Sequence, residues 1–162
     1  MKPKSSAGSA PSDVTLTLAS FLPYRLNVAA AAVSEGLARL YATRFGIGIP
    51  EWRVLATVGE FRSMTATATA IGLHAHMGKV KVSRAAAALE ARELIRREPN
   101  PEDLREAFLV LTPAGEAVYA EIVPLALDYA RRLTAEFRPD EEAMLNRLID
   151  RLLRRASEMG GA

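Results

Sequence analysis

The chain has 162 residues, 49% of them hydrophobic and 25% charged, with a net charge of +2 and no cysteine. That length suits one domain, or one core with helical extensions. The lack of cysteine excludes disulfides, thiolate nucleophiles and thiolate metal sites, and so small a net charge identifies a polyanion binder only if basic residues cluster locally.

The N-terminus, MKPKSSAGSAPSD, lacks the apolar centre of a signal peptide and is expected to be a disordered tail over residues 1–20. No stretch approaches the roughly 18 apolar residues of a membrane span, so a soluble, cytoplasmic protein without membrane partners is expected. From Phe21 the chain runs FLPYRLNVAAAAVSEGLARLYATRFG, with Pro23 suited to a first helical turn. Leu26, Ala30, Val33, Leu37, Leu40 and Arg44 recur at steps of four and three. Such a long stripe exceeds what a small core covers and suggests pairing with a helix of a second subunit. Gly46 and Gly48 end it.

Pro50 opens PEWRVLATVGEF, which places Trp52, Leu55, Val58 and Gly59 on one face. FRSMT reads as a loop. TATATAIGLHAHM alternates like a strand, but a short helix from about Ala68 to His74 fits better, capped by Thr67 and anchored by Ile71. Next, KVKVSRAAAALEAR reads as a helix from Lys79 to Arg92, with Val82, Ala85, Ala86 and Leu89 facing inward at i, i+3, i+4 and i+7. A strand would stop at Ser83 and leave the alanines without a role.

LIRRE and AFLVLT, separated by the turn formers of PNPEDLRE, predict a two-stranded hairpin with a polar tip. Thr112 as N-cap and Pro113 at the first helical position start a long helix that Pro124 should kink. RPDEEAMLNRLIDRLLRRASEM is a last amphipathic helix, with acids in its first turn and arginines towards its end. Met144, Leu145, Leu148, Ile149 and Leu152 form its apolar seam. The order predicts a mainly α fold with a small β-hairpin wing, a winged helix-turn-helix lobe over 49–112. It is flanked by dimerisation helices over 21–48 and 113–162.

At this point the segments FLPYRL, PEWRVL, KVKVSRAAAALEARELIRRE and DLREAFLVLTPAGE resemble, in order, those of the MarR family of ligand-responsive transcriptional regulators. The resemblance extends from Phe21 to about Leu153. It implies a homodimer that binds a palindromic operator in double-stranded DNA, usually as a repressor, and that a small aromatic or phenolic acid releases. It further implies that Lys79, Val80, Lys81, Ser83 and Arg84 face the major groove, with Thr67 among the contacts. Arg105 at the wing tip would enter a minor groove, oriented by Asp103.

The side-chain chemistry agrees with that assignment. Lysine and arginine neutralise phosphates, and Arg84 has the fork that reads guanine. Bare alanines let a helix approach a groove closely, and a wing arginine suits the enhanced negative potential of a narrow minor groove.

Three positions depart from the family pattern. Gly78 stands where an Asp often caps the recognition helix, at a cost of a few tenths of a kcal/mol. Glu93 replaces the usual glycine after the recognition helix, which costs about 1–2 kcal/mol if left-handed geometry is needed there. Leu104 stands where many relatives carry another wing arginine. That loss and the low net charge motivate a rival reading, a winged-helix protein-interaction module that does not read DNA.

Trp52, Tyr24, Phe21, Tyr41 and Phe45 are candidates to line an effector cleft, although aromatics at helical spacing are more often core. Arg25 or Arg53 would pair a ligand carboxylate, so Tyr24, Arg25, Trp52 and Arg53 are the candidate ligand residues. His74 and His76 do not share a helix face and have no evident third partner, which predicts no metal site. No G-x-S-x-G, P-loop or acid pair suggests catalysis, and no cofactor is expected.

Overall fold

The computed structural model describes residues 15–61 and 66–160. Most of the expected N-terminal tail and most of the FRSMT loop lie outside them. The chain divides into two compact units, one reaching Gly36 and one starting at Leu37.

In the first unit a 3-10 turn, Leu18–Ser20, precedes the start of helix α1, Leu22–Phe45, whose remainder belongs to the second unit. Pro23 falls in the first helical turn, where its missing N–H costs nothing. Leu22, Leu26, Val28 and Val33 stay exposed along it.

The second unit continues with α2 (Ile49–Phe61), α3 (Ala68–His74), α4 (Lys79–Ala91), β1 (Ile95–Pro99), β2 (Ala107–Leu111), α5 (Pro113–Leu133) and α6 (Pro139–Gly160). The bounds of α3 are those expected from the sequence. Thr67 caps it, accepting the Ala70 N–H at 3.2 Å, and Ile71 is fully buried. The inward face of α4 is Val82, Ala85, Ala86 and Leu89, each at most 1% exposed. Together with Val54, Leu55 and Val58 of α2, Leu94 and Leu109, these residues form one core, to which each fully buried aliphatic side chain contributes about 1.5–3 kcal/mol.

β1 and β2 pair antiparallel, with Ile95 opposite Leu111 and Pro99 opposite Ala107. A feature not evident in the sequence widens this wing beside the loop end of β2. Thr67 forms an isolated antiparallel bridge with Phe108, and the Leu109 N–H donates to the Ala66 carbonyl at 2.9 Å. The alternating Thr/Ala run therefore does contribute an extended residue pair before α3 starts.

α4 ends one residue before the expected Arg92, and the manner of its ending resolves the Glu93 question. The Leu94 N–H bonds to the Leu89 carbonyl at 3.0 Å and the Glu93 N–H to the Glu90 carbonyl at 2.9 Å. This is a Schellman motif with Glu93 at its left-handed position, φ +56°. Buried Leu89 and Leu94 supply its apolar contact. α3 ends the same way: Met77 N–H reaches Gly72 O at 2.9 Å, and His76 sits at φ +49°. The turn of the helix-turn-helix is thus built on a non-glycine residue.

Arg92 donates to the carbonyls of Phe45 and Gly46, so a cation closes the C-terminus of α1, where the macrodipole favours one. At the start of α5, Thr112 Oγ1 accepts the Gly115 N–H at 3.0 Å and its hydroxyl donates to the Glu93 carbonyl at 2.5 Å. A Cβ on Gly115 would lie 1.9 Å from the Leu94 carbonyl oxygen, so only glycine fits there. α5 runs through Pro124 as one helix. In α6 the acids Asp140, Glu141 and Glu142 occupy the first turn as expected, but the last turn holds no basic residue. The helix continues to Gly160, which leaves Arg154 and Arg155 short of its end, and Arg155 pairs instead with Glu158 at 3.1 Å.

Candidate nucleic-acid interface

The outward face of α4 carries Lys79, Val80, Lys81, Ser83 and Arg84, all exposed, with Val80 at 64%. Nothing in the local sequence forces a bulky apolar residue outward on a soluble helix. Its neighbours explain the placement: the inward positions are filled by alanines and branched aliphatics that let α4 lie close against α2 and α3. Among the described residues no ion pair engages Lys79, Lys81, Arg84 or Arg105. By contrast, Arg97 of the wing reaches Glu90 at 3.0 Å, and Arg96 is paired to Glu98.

The start of α4 borders an open recess of about 760 Å³ that collects Arg53, His76, Lys79 and Lys81. α2 contributes Arg53 from its first turns, beside Ile49 and Pro50. The sequence pointed Arg53 at an effector carboxylate; the structure groups it with the lysines of α4. The left-handed turn at His76 brings the imidazole to the same recess.

At the wing, Asn100 is buried and its Oδ1 accepts the N–H groups of Glu102 and Asp103, at 3.0 and 3.3 Å. Asp103 Oδ1 in turn accepts the backbone N–H of Arg105 at 2.9 Å. Asp103 therefore holds the tip through the backbone of Arg105. Asn100 was missed in the sequence, although an Asn followed by Pro at a hairpin tip is a turn signal. Leu104 beside it is 90% exposed. Glu106 bonds Thr69 of α3, tying the loop end of β2 to the helix-turn-helix. Thr67, included among the expected DNA contacts, is half-buried with its hydroxyl engaged as the α3 cap.

His74 Nε2 lies 2.9 Å from Glu60 Oε2, and its ring packs edge-on against Phe61 at 4.9 Å. Among the described residues no group of three His, Asp or Glu side chains is placed to hold a metal ion, and no helix is long and apolar enough to cross a membrane.

The candidate ligand residues belong to both units. Tyr24 and Arg25 are exposed in the first unit, whereas Trp52 and Arg53 belong to the second. Tyr41 is core rather than pocket lining, 1% exposed, and burial pushes its hydroxyl up to about 12 against the opposing pull of Arg53. It starts an aromatic row, with Trp52 at 5.5 Å and Tyr119 a further 6.4 Å beyond. Tyr119 lines a cleft of about 570 Å³ between α2, β2 and α5, a site the sequence did not reveal because its walls come from three distant segments.

A three-helix core whose third helix presents unpaired cations, followed by a two-stranded hairpin with an arginine at its tip, is a winged helix-turn-helix. Residues 45–106, the greater part of the winged-helix portion, match the model of the MarR family. Comparison with curated proteins finds no match. Among solved structures, a MarR/EmrR family transcriptional regulator from Acinetobacter sp. ADP1 superposes with a TM-score of 0.79 at 24% identity, covering 88% of this chain and 99% of that one. Sco3205, a MarR family regulator from Streptomyces coelicolor solved in complex with DNA, gives 0.73 at 24% identity, with 89% and 91% covered. The PcaV regulator of the same organism, solved with its natural ligand, gives 0.73 at 19% identity, with 88% and 99% covered.

Proposed function

We propose that the protein is a homodimeric regulator that binds a palindromic operator and acts as a repressor released by a small molecule. The observation that carries this reading is the exposed face of α4, where Lys79, Lys81 and Arg84 have no ion-pair partner among the described residues while Arg96 and Arg97 nearby are neutralised. Cations left unpaired on one helix face are available to displace counterions from phosphate. In this reading Arg84 reads a base edge, Lys79, Lys81 and Arg53 meet phosphates, and Arg105 enters the minor groove, held by the Asp103–Asn100 turn. Val80 and Ser83 complete the groove-facing surface, with Val80 suited to a thymine methyl group. The DNA complex of Sco3205 and the ligand complex of PcaV support the two halves of the proposal by analogy.

Two-fold pairing is supported by the apolar seam of α6, where Met144, Leu145, Leu148, Ile149 and Leu152 are all 39–48% exposed. A helix of 22 residues with such a stripe needs a partner surface. The deciding experiment selects genomic DNA fragments bound by the purified protein and follows with gel-shift titrations on the enriched site. The regulator reading expects a two-fold symmetric motif and tight binding at physiological salt. Binding without sequence preference would instead favour a winged-helix interaction module, for which the bare Leu104 at the wing tip offers an apolar contact.

A further inference from the structure

The basic recess at the start of α4 is assembled from three segments. α2 contributes Arg53, the turn of the helix-turn-helix contributes His76, and α4 contributes Lys79 and Lys81. Gly78, the cap of α4, offers no side-chain acceptor to the first N–H groups of that helix, so the field there also favours an anion. No carboxylate is among the described residues that line the recess. Glu51, two positions before Arg53, accepts the Gly48 N–H at 3.0 Å, and Glu60 is engaged by His74 at 2.9 Å.

Backbone geometry sets where the imidazole stands. His76 holds φ +49° beside buried Met77, whose N–H is bound to the Gly72 carbonyl at 2.9 Å, and His76 itself is exposed. A side chain on so constrained a turn meets a ligand with less ordering left to do. Histidine is the one side chain of this cluster whose charge changes between about pH 5 and 8. A phosphate brought among Arg53, Lys79 and Lys81 adds the negative charge that favours an imidazolium. We infer that His76 is a phosphate-binding residue that acts in its protonated form, so that DNA binding takes up a proton at each recess. This deepens the proposed DNA-binding function and rests on that reading for its biological meaning. The imidazolium is present at the acid end, so affinity is greatest there and declines as pH rises.

The test measures DNA affinity of the full-length protein by fluorescence anisotropy, at constant ionic strength, from about pH 6 to about pH 8. Its probes are the duplex enriched by genomic selection and a mixed-sequence duplex. Phosphate contacts carry no sequence information, so both should show the linkage. The parent protein should bind about three- to tenfold more tightly at the acid end, the size expected of solvated charge contacts. Calorimetry in buffers of different ionisation enthalpy should detect the proton taken up. His74 is the only other histidine, so His74→Gln should keep the parent profile. His76→Asn, which tolerates the left-handed turn and cannot be protonated, should give a flat profile. His76→Lys, a fixed cation, should hold the acid-end affinity across the range, with circular dichroism confirming that each variant is folded. A flat profile in the parent, a slope that survives His76→Asn or disappears with His74→Gln, or failure to bind either duplex would overturn the inference. Proton-linked binding to both duplexes alike, with no enriched motif, would refute sequence-specific regulation and leave His76 as assigned.

Discussion

Replacing Glu93 with glycine is expected to stabilise the fold, because Glu93 occupies the left-handed position that ends α4, at φ +56°. An L-residue there carries about 1–2 kcal/mol of steric cost from its Cβ. Glycine removes that cost but gains freedom in the unfolded chain, which takes back about 0.5–1 kcal/mol. The Glu93 side chain is exposed, so little else is lost. The net gain is about 0.5–1 kcal/mol, or about 1–4 °C in melting temperature for a chain of this size. Thermal unfolding is followed by circular dichroism at one fixed protein concentration, since dimerisation would otherwise shift the midpoint. Glu93→Ala is the control: it removes the carboxylate but keeps the Cβ, and should melt with the parent. A glycine variant that melts at or below the alanine variant would show that the Schellman joint carries no strain.

Arg84→Ala and Arg105→Ala should each weaken operator binding by about 1–3 kcal/mol without changing the dimer, measured by gel shift and light scattering; unchanged affinity for both would remove those residues from the interface. Lys81→Ala should lower affinity for all sequences alike and reduce the salt slope by about one, seen in titrations at several salt concentrations. Gly115→Ala should destabilise by several kcal/mol or prevent folding, because its Cβ would stand 1.9 Å from the Leu94 oxygen, and expression with thermal unfolding checks this. Tyr41, whose hydroxyl is pushed up to about 12 by burial, contributes stability that is fully present below pH about 10 and lost as pH rises through about 12. The loss is on the order of 2–3 kcal/mol. Tyr41→Phe should flatten that alkaline decline in denaturant titrations.

Much of the lobe was legible because periodicity and caps agree there. Thr67, Ile71 and the Val82–Ala85–Ala86–Leu89 face were assigned correctly from spacing, and Thr112 with Pro113 marked the start of α5. What escaped reading depends on residues far apart in sequence. The Thr67–Phe108 bridge needs a partner about forty positions away, so Thr/Ala alternation alone could not choose between strand and cap. Arg92 reads as a surface arginine until α1 ends beside it. The place of Arg53 in the basic recess was hidden for the same reason: its neighbours Lys79 and Lys81 come from another helix. His76 gave no signal because an L-residue at positive φ is imposed by the surrounding turn, not by its own preference. Glu93 was legible only as a substitution within a pattern that elsewhere uses glycine.

The contact between Gly115 and the Leu94 carbonyl has a mechanical meaning. Packed side chains absorb small displacements by changing rotamer, so most joints between helices behave as cushions. Here backbone rests on backbone, and the Thr112 hydroxyl pins the same point through the Glu93 carbonyl. No compliant layer separates the start of α5 from the end of α4. A shift of the start of α5 would therefore bear directly on the end of α4. In the proposed effector-controlled reading, sensitivity would be tuned by changes in how α5 is pushed, because this joint has little slack to adjust.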